Sequence, residues 1–377
     1  MLTHYVKFLY RNTDCSLCYS FFYRWNMGKK VKYYKHTIQK CTIVGIVLLI
    51  LTIILCIFFA SQGAMKLKFI DTQRIVWAKI TGNQALLSQY AQNEIAIIWD
   101  IRLPRIICGV FVGGGLAVAG AMFQSLLRNP LADPYTLGVS TGAAFGASVA
   151  IIINILYGIY ISITISAFVS AFITLILVIF VANRGGGLFS SNLIIAGIIV
   201  GSILSAGISF IKMIAGENVS AIVFWLMGSL SSRTWLNVLM LVPLVTIASI
   251  IGYIYANDLN IMTSGENNAQ TLGVNTKHTR YIYLILGSCI TAVCVAVSGI
   301  IGFIGLVIPH LLRYWLTSDN RILIPLSMLL GGLILSIADN FTRLLFISEV
   351  PVGVLTTLIG GPFFIYVFIT NHNKVKP

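Results

Sequence analysis

Long uncharged apolar stretches recur along the chain from residue 41 to residue 370. Each is close to the roughly 20 residues that an α-helix needs to cross the hydrocarbon core of a bilayer, and they lack the polar and apolar alternation of a transmembrane β-strand. We therefore predict an all-α, polytopic membrane protein with about ten transmembrane helices. The predicted spans are residues 41–60, 104–127, 136–156, 160–182, 191–212, 236–256, 281–298, 300–316, 322–340 and 352–370.

The spans divide the chain into three parts. Residues 1–40 form a basic N-terminal extension, residues 41–370 a transmembrane domain, and residues 371–377 a short basic tail. Residues 1–26 are rich in Tyr, Phe and Cys without a helical period, whereas Met27 stands directly before a lysine-rich stretch and the first span. We hypothesise that translation begins at Met27, and an N-terminal mass measurement that found Met1 would contradict this.

The composition indicates lipid rather than water as the main solvent of the fold. Of the 377 residues, 58% are hydrophobic and 10% are charged, against about 25% charged residues in a typical soluble domain. The net charge of +14 does not indicate nucleic-acid binding, because the basic residues lie scattered in loops. Sixteen Lys and Arg fall on the side of the N-terminus and nine on the other side, so the positive-inside rule predicts that both termini are cytoplasmic.

Groups that would power transport are nearly absent from the spans. The sequence has no GxxxxGK[ST] nucleotide-binding motif, and the one acid well inside a span is Asp339. We interpret Asp339 and Arg343, one helical turn apart, as a local ion pair rather than a proton relay. His310, beside the helix-breaking Pro309, is interpreted as bonding freed carbonyls rather than a haem or metal ion. We expect no cofactor and no metal. If the chain transports a solute actively, we expect the energy source to be on another polypeptide.

Polar residues gather at the ends of the spans. Arg102 and Arg105 lie at the outer rim, against the orientation bias, where they either serve a partner or snorkel to the interface. In the inner turn 128–138, Asp133 is expected to cap the third helix. The longest inner loop, residues 258–273, suits one or two short surface helices. A cytoplasmic partner would bind most naturally at this loop.

Glycines recur at four-residue spacing in two places. Gly138, Gly142 and Gly146 form one set, and Gly197 and Gly201 form the other. Small residues at this spacing let transmembrane helices approach closely. The pattern therefore predicts a tight bundle.

Five segments are long enough to be characteristic of a family. They are IRLPR at 101–105, GAMFQSLLRNPLADPYTLGVSTGA at 120–143, FWLMGSL at 224–230, GFIGLVIPHLLR at 302–313 and EVPVGVLTTLIGGPFF at 349–364. In this order they resemble the FecCD-type permease family of ATP-binding-cassette (ABC) importers, which carry ferric siderophores, haem and cobalamin. The resemblance covers about residues 41–370 and leaves residues 1–40 without a counterpart.

The resemblance implies a type II ABC importer permease fold and a chain without enzymatic activity of its own. The implied partners are two cytoplasmic ATP-binding subunits, an external substrate-binding (lipo)protein and a second permease copy or a sister permease, in the bacterial cytoplasmic membrane. A ferric siderophore is the favoured cargo, because the family carries it most often, with haem and cobalamin as alternatives. Two other classes stay open: an ATP-independent secondary carrier, which needs internal ion sites, and an intramembrane enzyme, which needs converging acids, histidines or a nucleophile.

The family pattern also implies roles for individual residues. The positions that match docking arginines for the external protein are Arg102, Arg105 and Arg343. The loop 262–274 matches the coupling helices that contact the ATPase, and its nominated residues are Glu266, Leu272 and Gly273. The inner gate matches the turns between helices 2 and 3 and between helices 4 and 5, at Asn129, Leu131, Ser190 and Ser191.

Overall fold

The computed structural model describes residues 16–63, 65, 67–345 and 350–374 as helices and connecting loops. The long helices are α1 (Ser16–Ser61), α5 (Leu103–Leu126), α6 (Val139–Tyr157), α7 (Ile163–Arg184), α8 (Ser190–Ala215), α10 (Trp235–Ile254), α13 (Thr276–Ser298), α15 (Asn320–Leu345) and α16 (Val352–Lys374). The shorter helices are α2 (Phe69–Thr81), α3 (Gln84–Leu87), α4 (Gln92–Ala96), α9 (Val219–Leu226), α11 (Ala256–Thr263), α12 (Glu266–Thr271) and α14 (Ile304–Trp315). A π-helical turn, Ile97–Arg102, joins α4 to α5.

The chain divides into two compact units, residues 1–46 and residues 47–377. In its described part, the first unit consists of the N-terminal portion of α1. Residues 1–15 of the predicted extension, which bear on the Met27 hypothesis, lie outside the described residues, as do residues 375–377 of the predicted tail. The second unit holds all the other helices.

Eight helical stretches in the described residues are long and apolar enough to cross a membrane. They correspond to predicted spans one to seven and nine. The eighth predicted span, 300–316, contains only the 12-residue helix α14, whereas helix α16 covers the whole of the tenth predicted span. The architecture of about ten membrane helices is therefore confirmed, with the eighth helix shorter than predicted.

Helix α5 lies at the centre of the bundle and is buried along nearly its whole length. It packs most extensively on α15 and also contacts α10, α13 and α14. Glycines make these contacts possible: a Cβ added to Gly113 would lie 2.3 Å from the carbonyl oxygen of Gly331, and one added to Gly120 would lie 1.7 Å from that of Gly305. Without side chains at these positions the backbones come into direct contact.

The eighth span is interrupted before α14 rather than at its proline. Pro309 lies inside α14, so the expected break at that residue is wrong. The carbonyl that Pro309 leaves without its helical donor belongs to Gly305, and it points at α5. The break falls between Gly299 and Phe303, both of which have positive φ angles. The Tyr135 hydroxyl satisfies this segment, donating to the Ile301 carbonyl at 2.5 Å and accepting from the Ile301 N–H at 3.2 Å.

The predicted glycine pattern holds in part. An added Cβ on Gly142 or Gly146 would lie within 2.5 Å of atoms of α7, so these two glycines do bring α6 and α7 together. Gly138 instead precedes α6 in a left-handed conformation. At Gly201 the nearest atom to an added Cβ is 3.8 Å away, which is an ordinary contact and not a close approach.

Candidate functional site

The predicted coupling loop folds as two short helices, α11 and α12, separated by Gly265 with a φ of +123°. Glu266, the first residue of α12, forms a salt bridge of 2.9 Å with Arg280 of α13 and accepts a hydrogen bond from the Thr276 hydroxyl at 3.4 Å. Glu266 therefore fastens α12 to the bundle in this structure.

The other two nominated coupling residues form an exposed tip after α12. The Leu272 side chain is 68% exposed, and Gly273 has a φ of +83° with no atom within 4 Å of an added Cβ. The two residues are therefore accessible at the surface of this chain.

Arg280 connects helix α12 with the turn between predicted spans four and five. Its guanidinium group bonds Glu266 on one side and lies 6.0 Å from the ring centroid of Phe189 on the other. Phe189 directly precedes Ser190 and Ser191, the first residues of α8. Ser190 is half-buried and Ser191 is exposed. Sequence reasoning missed Arg280, because a basic residue at a predicted inner span end also fits the orientation rule and has no other signal.

The other predicted gate turn follows α5. The Asn129 side chain accepts the Leu131 N–H at 2.9 Å, which stabilises the turn and leaves the Leu131 side chain exposed. Further along, residues 136–138 lie against α8, since a Cβ added to Gly197 would be 2.4 Å from the Thr136 carbonyl oxygen. The structure thus brings the end of this turn against the helix that carries Ser190 and Ser191.

Asp133 does not cap a helix, contrary to the sequence-based expectation. Helix α6 begins at Val139, and the Asp133 carboxylate accepts the N–H of Tyr135 at 3.3 Å within the turn. Burial raises the pKa of Asp133 to about 6, although the hydrogen bond from Tyr135 opposes the shift.

Asp133 lines a mainly apolar cleft of about 760 Å³. The walls of the cleft come from the inner turn, from the residues after α9, from the broken segment before α14, and from α16. The lining residues are Asp133, Tyr135, Leu226, Met227, Ile300, Gly302, Phe303, Leu306, Gly353, Val354, Thr357, Leu358 and Phe364. One cleft is therefore lined both by a turn predicted to be cytoplasmic and by a segment predicted to be external.

The three predicted docking arginines converge near the C-terminal end of α1. Arg102 donates to the carbonyls of Ala60, at 2.9 Å, and Met65, at 2.6 Å. Arg343 donates to the carbonyl of Phe59 at 2.9 Å. Exposed carbonyls at a helix C-terminus carry partial negative charge, so guanidinium groups are favourable there.

The expected local pair between Asp339 and Arg343 is wrong. Asp339 binds Arg105 through two parallel hydrogen bonds, both 2.9 Å long. Arg343 donates instead to the Asn340 side chain at 2.7 Å, in addition to its bond with α1. Arg105 on α5 presents its planar group to the carboxylate in the bidentate geometry that such pairs prefer.

The interpretation of His310 as a partner of freed carbonyls is also wrong. Its Nδ1 atom is buried without a hydrogen-bond partner, and the ring packs edge-on against Phe364 at 5.9 Å between centroids. Within the described part of the chain, no three His, Cys, Asp or Glu side chains lie close enough together to hold a metal ion.

The helical bundle and its cleft can be compared with those of known membrane proteins. The chain belongs to the FecCD transport family, whose model matches residues 48–370. It is 38% identical to the cobalamin import system permease protein BtuC of Halobacterium salinarum, over 77% of this chain and 78% of the relative. It is 36% identical to the hemin transport system permease protein HmuU of Yersinia pestis, over 87% of this chain and 95% of the relative.

A solved structure has the same fold. It is described as a metal-chelate type ABC transporter in an inward-facing conformation, and it matches with a TM-score of 0.75 at 30% sequence identity. The match covers 87% of this chain and 99% of the solved chain. The chain is accordingly an ABC importer permease.

Proposed function

We propose that this permease carries an iron chelate, with a ferric siderophore as the first candidate and haem or cobalamin as alternatives. The observation that carries the proposal is the cleft of about 760 Å³. Sites of about 300–1,000 Å³ suit molecules of drug-like size, which favours a chelate over a bare ion. The described lining residues include Phe303, Phe364, Tyr135 and one acid, Asp133, and none of them has a cationic side chain. Such a lining suits a large cargo of low charge that must be released again.

The proposed energy source is a pair of cytoplasmic ATP-binding subunits that bind the coupling segment, residues 262–274. The exposed Leu272 supports this placement, because an apolar side chain at a tip gains free energy when a partner covers it. Glu266 would act indirectly, by holding α12 against Arg280. In this proposal the chain catalyses no bond change, and it works beside a second permease copy or a sister permease in the bacterial cytoplasmic membrane.

An external substrate-binding protein would dock at the end of α1, with Arg102, Arg105 and Arg343 as the implied contacts. Arg102 and Arg105 are buried and bonded internally, so a carboxylate of the partner would have to replace an internal acceptor. Arg343 is half-buried, and its hydrogen bonds to described residues use one nitrogen, Nη2. A guanidinium group has five donors, which favours Arg343 as the direct contact and assigns the other two arginines to supporting it.

Transport in proteoliposomes tests the proposal. The purified permease would be reconstituted with its ATPase subunits and its binding protein, and uptake of an ⁵⁵Fe-labelled ferric hydroxamate, haem and cyanocobalamin would be compared. We expect ATP-dependent uptake of the ferric chelate, and no uptake by the permease alone. Uptake without an ATPase would indicate a secondary carrier, and uptake of haem or cobalamin alone would refute the siderophore assignment.

A variant with a scrambled coupling loop tests the energy source separately. Scrambling residues 262–274 should abolish ATP-dependent uptake while the variant still folds and reaches the membrane. Import at the normal rate by this variant would contradict the proposed coupling.

A further inference from the structure

A continuous chain of hydrogen bonds runs through the inner end of the bundle. Arg313 of α14 donates from Nη2 to the Ser125 hydroxyl of α5 at 2.6 Å, and this hydroxyl donates to Oδ1 of Asn320 at 2.6 Å. The Asn320 amide donates to Oδ1 of Asn260 at 2.7 Å, and the Asn260 amide donates to Asp319 at 2.7 Å. Four helical segments are thereby linked by side chains alone.

Every hydrogen bond in this series has the same donor-to-acceptor direction, from the cation Arg313 to the anion Asp319. Hydrogen bonds aligned in series polarise one another and strengthen the whole chain. Burial would raise the pKa of Asp319, but hydrogen bonds from Arg321 and Asn260 outweigh that effect and lower the pKa. The terminal acceptor is therefore an ionised carboxylate, as the direction of the chain requires.

The middle of the chain is closed to solvent. Asn320 is 0% exposed and Ser125 is 3% exposed. The backbone N–H of Asn320 donates to the same Asn260 oxygen at 2.9 Å, so two donors hold one side chain of α11. A polar group buried in this way loses free energy if its partner moves away, which makes the link between α11 and α15 stiff.

The two ends of this link have a functional meaning. Asn260 belongs to α11, which leads directly into the proposed ATPase-binding segment. Ser125 lies two residues before the end of the predicted span 104–127. The gate turn with Asn129 and Leu131 follows that end directly. A displacement of α11 is thus carried by Asn320 to the last turn of α5.

We propose that Asn260, Asn320 and Ser125 are positioning residues that transmit movement of helix α11 to the gate turn after α5. This proposal rests on the proposed function of residues 262–274 as the site where the ATPase subunits bind. The link acts through geometry, since none of the three residues needs to touch the cargo or the nucleotide.

The test is the amount of cargo imported per ATP hydrolysed by the reconstituted complex. The probe is whichever of ⁵⁵Fe-labelled ferric hydroxamate, haem or cyanocobalamin the wild-type complex imports. Asn260→Ala, at the half-buried edge of the link, should keep ATP hydrolysis within about twofold and lower the import ratio by about fivefold or more, the lower end of typical coupling between two sites. Ser125→Ala should give the same result from the other end.

Ser148→Ala is the matched control. Ser148 of α6 is also a buried serine that donates to the carbonyl four residues before it, Ala144, at 2.7 Å, as Ser125 can to Ala121 at 2.9 Å. It has no place in the link, so its import ratio should stay at the wild-type value. The double variant of Asn260 and Ser125 should have an import ratio no lower than that of either single variant, because residues in one hydrogen-bonded series act as a unit.

Three results would overturn the proposal. One is an unchanged import ratio in both single variants, and another is an equal loss in Ser148→Ala. The third is a parallel fall of ATP hydrolysis and import that follows the amount of folded complex, which indicates a purely structural role. Failure of the proposed function itself would look different, because the wild-type complex would then show no ATP-dependent import.

Discussion

The buried pair between Arg105 and Asp339 allows a sharp stability prediction. The two side chains are 9% and 4% exposed and share two hydrogen bonds of 2.9 Å. The substitution Asp339→Asn keeps the size and one oxygen of the side chain but removes its charge. Arg105 would then remain buried as a cation without the negative charge of Asp339, close to two further guanidinium groups at the end of α1.

The expected cost is about 3–5 kcal/mol, the range found when one partner of a buried ion pair is removed. The chain offers a matched comparison in Arg321, which pairs with Asp319 at 2.7 Å but has a side chain that is 45% exposed. Since solvent screens such a pair, Arg321→Ala should cost no more than about 1 kcal/mol. The difference between the two variants measures the effect of burial at nearly equal distance.

Unfolding in mixed micelles by titration with sodium dodecyl sulphate, followed by circular dichroism, gives both free energies. Replacing Asp339 and Arg105 together by leucine should restore most of the loss, because two matched apolar residues leave no unpaired charge. A cost for Asp339→Asn no larger than that for Arg321→Ala would refute the reasoning. So would a double leucine variant as unstable as the single Asp339 variant.

Three further predictions concern packing, coupling and pH. Gly120→Ala should lower the free energy of unfolding by about 3 kcal/mol, because the new methyl group would collide with the Gly305 carbonyl at 1.7 Å; Gly201→Ala, with 3.8 Å of clearance, should change it by less than about 1 kcal/mol in the same titration. Leu272→Asp should weaken binding of the ATPase subunits about tenfold or more in a co-purification assay, with an unchanged melting temperature, because an exposed apolar contact becomes a charge. Burial holds the pKa of Asp133 at about 6 against a usual 3.8, so the folded state binds a proton more tightly than the unfolded state and stability should fall as the pH rises from about 4 to about 6. Asp133→Asn should remove that slope in melting curves recorded from pH 4 to pH 7.

The spans were predictable from the sequence because the signal for a membrane helix is local. A run of apolar residues of sufficient length defines a span whatever lies beside it, and helices occur in all ten predicted places. The two short helices of the inner loop 258–273 were also predictable from the sequence, since Glu266 follows Ser264 and Gly265 at a typical helix start. Helix α2 had a readable period as well, with Thr72, Ile75 and Ala78 buried on one face, but its polar residues hid it in a loop.

The break in the eighth span shows where local signals fail. Proline is the usual helix breaker, yet Pro309 lies within helix α14, and the Gly305 carbonyl four residues before it packs against Gly120 of α5. The chain breaks instead where a tyrosine 166 residues earlier in the sequence bonds both the N–H and the carbonyl of Ile301. Such a partner is decided by the packing of the bundle, and no short stretch of sequence contains it.

The partners of the charged residues are also set by the packing of the bundle rather than by local sequence. They determine which groups the arginines bind. An ionisable group in an apolar bundle must find a partner, and Asp339 takes Arg105, 234 residues away along the chain, in preference to Arg343 one turn away. Arg343 donates instead to the carbonyl of Phe59 at the end of α1, and Arg102 donates to the neighbouring carbonyl of Ala60. In this structure, arginines that match a docking motif thus hold the C-terminal end of α1 in place. Any external protein that recruits these arginines must act on that helix end as well.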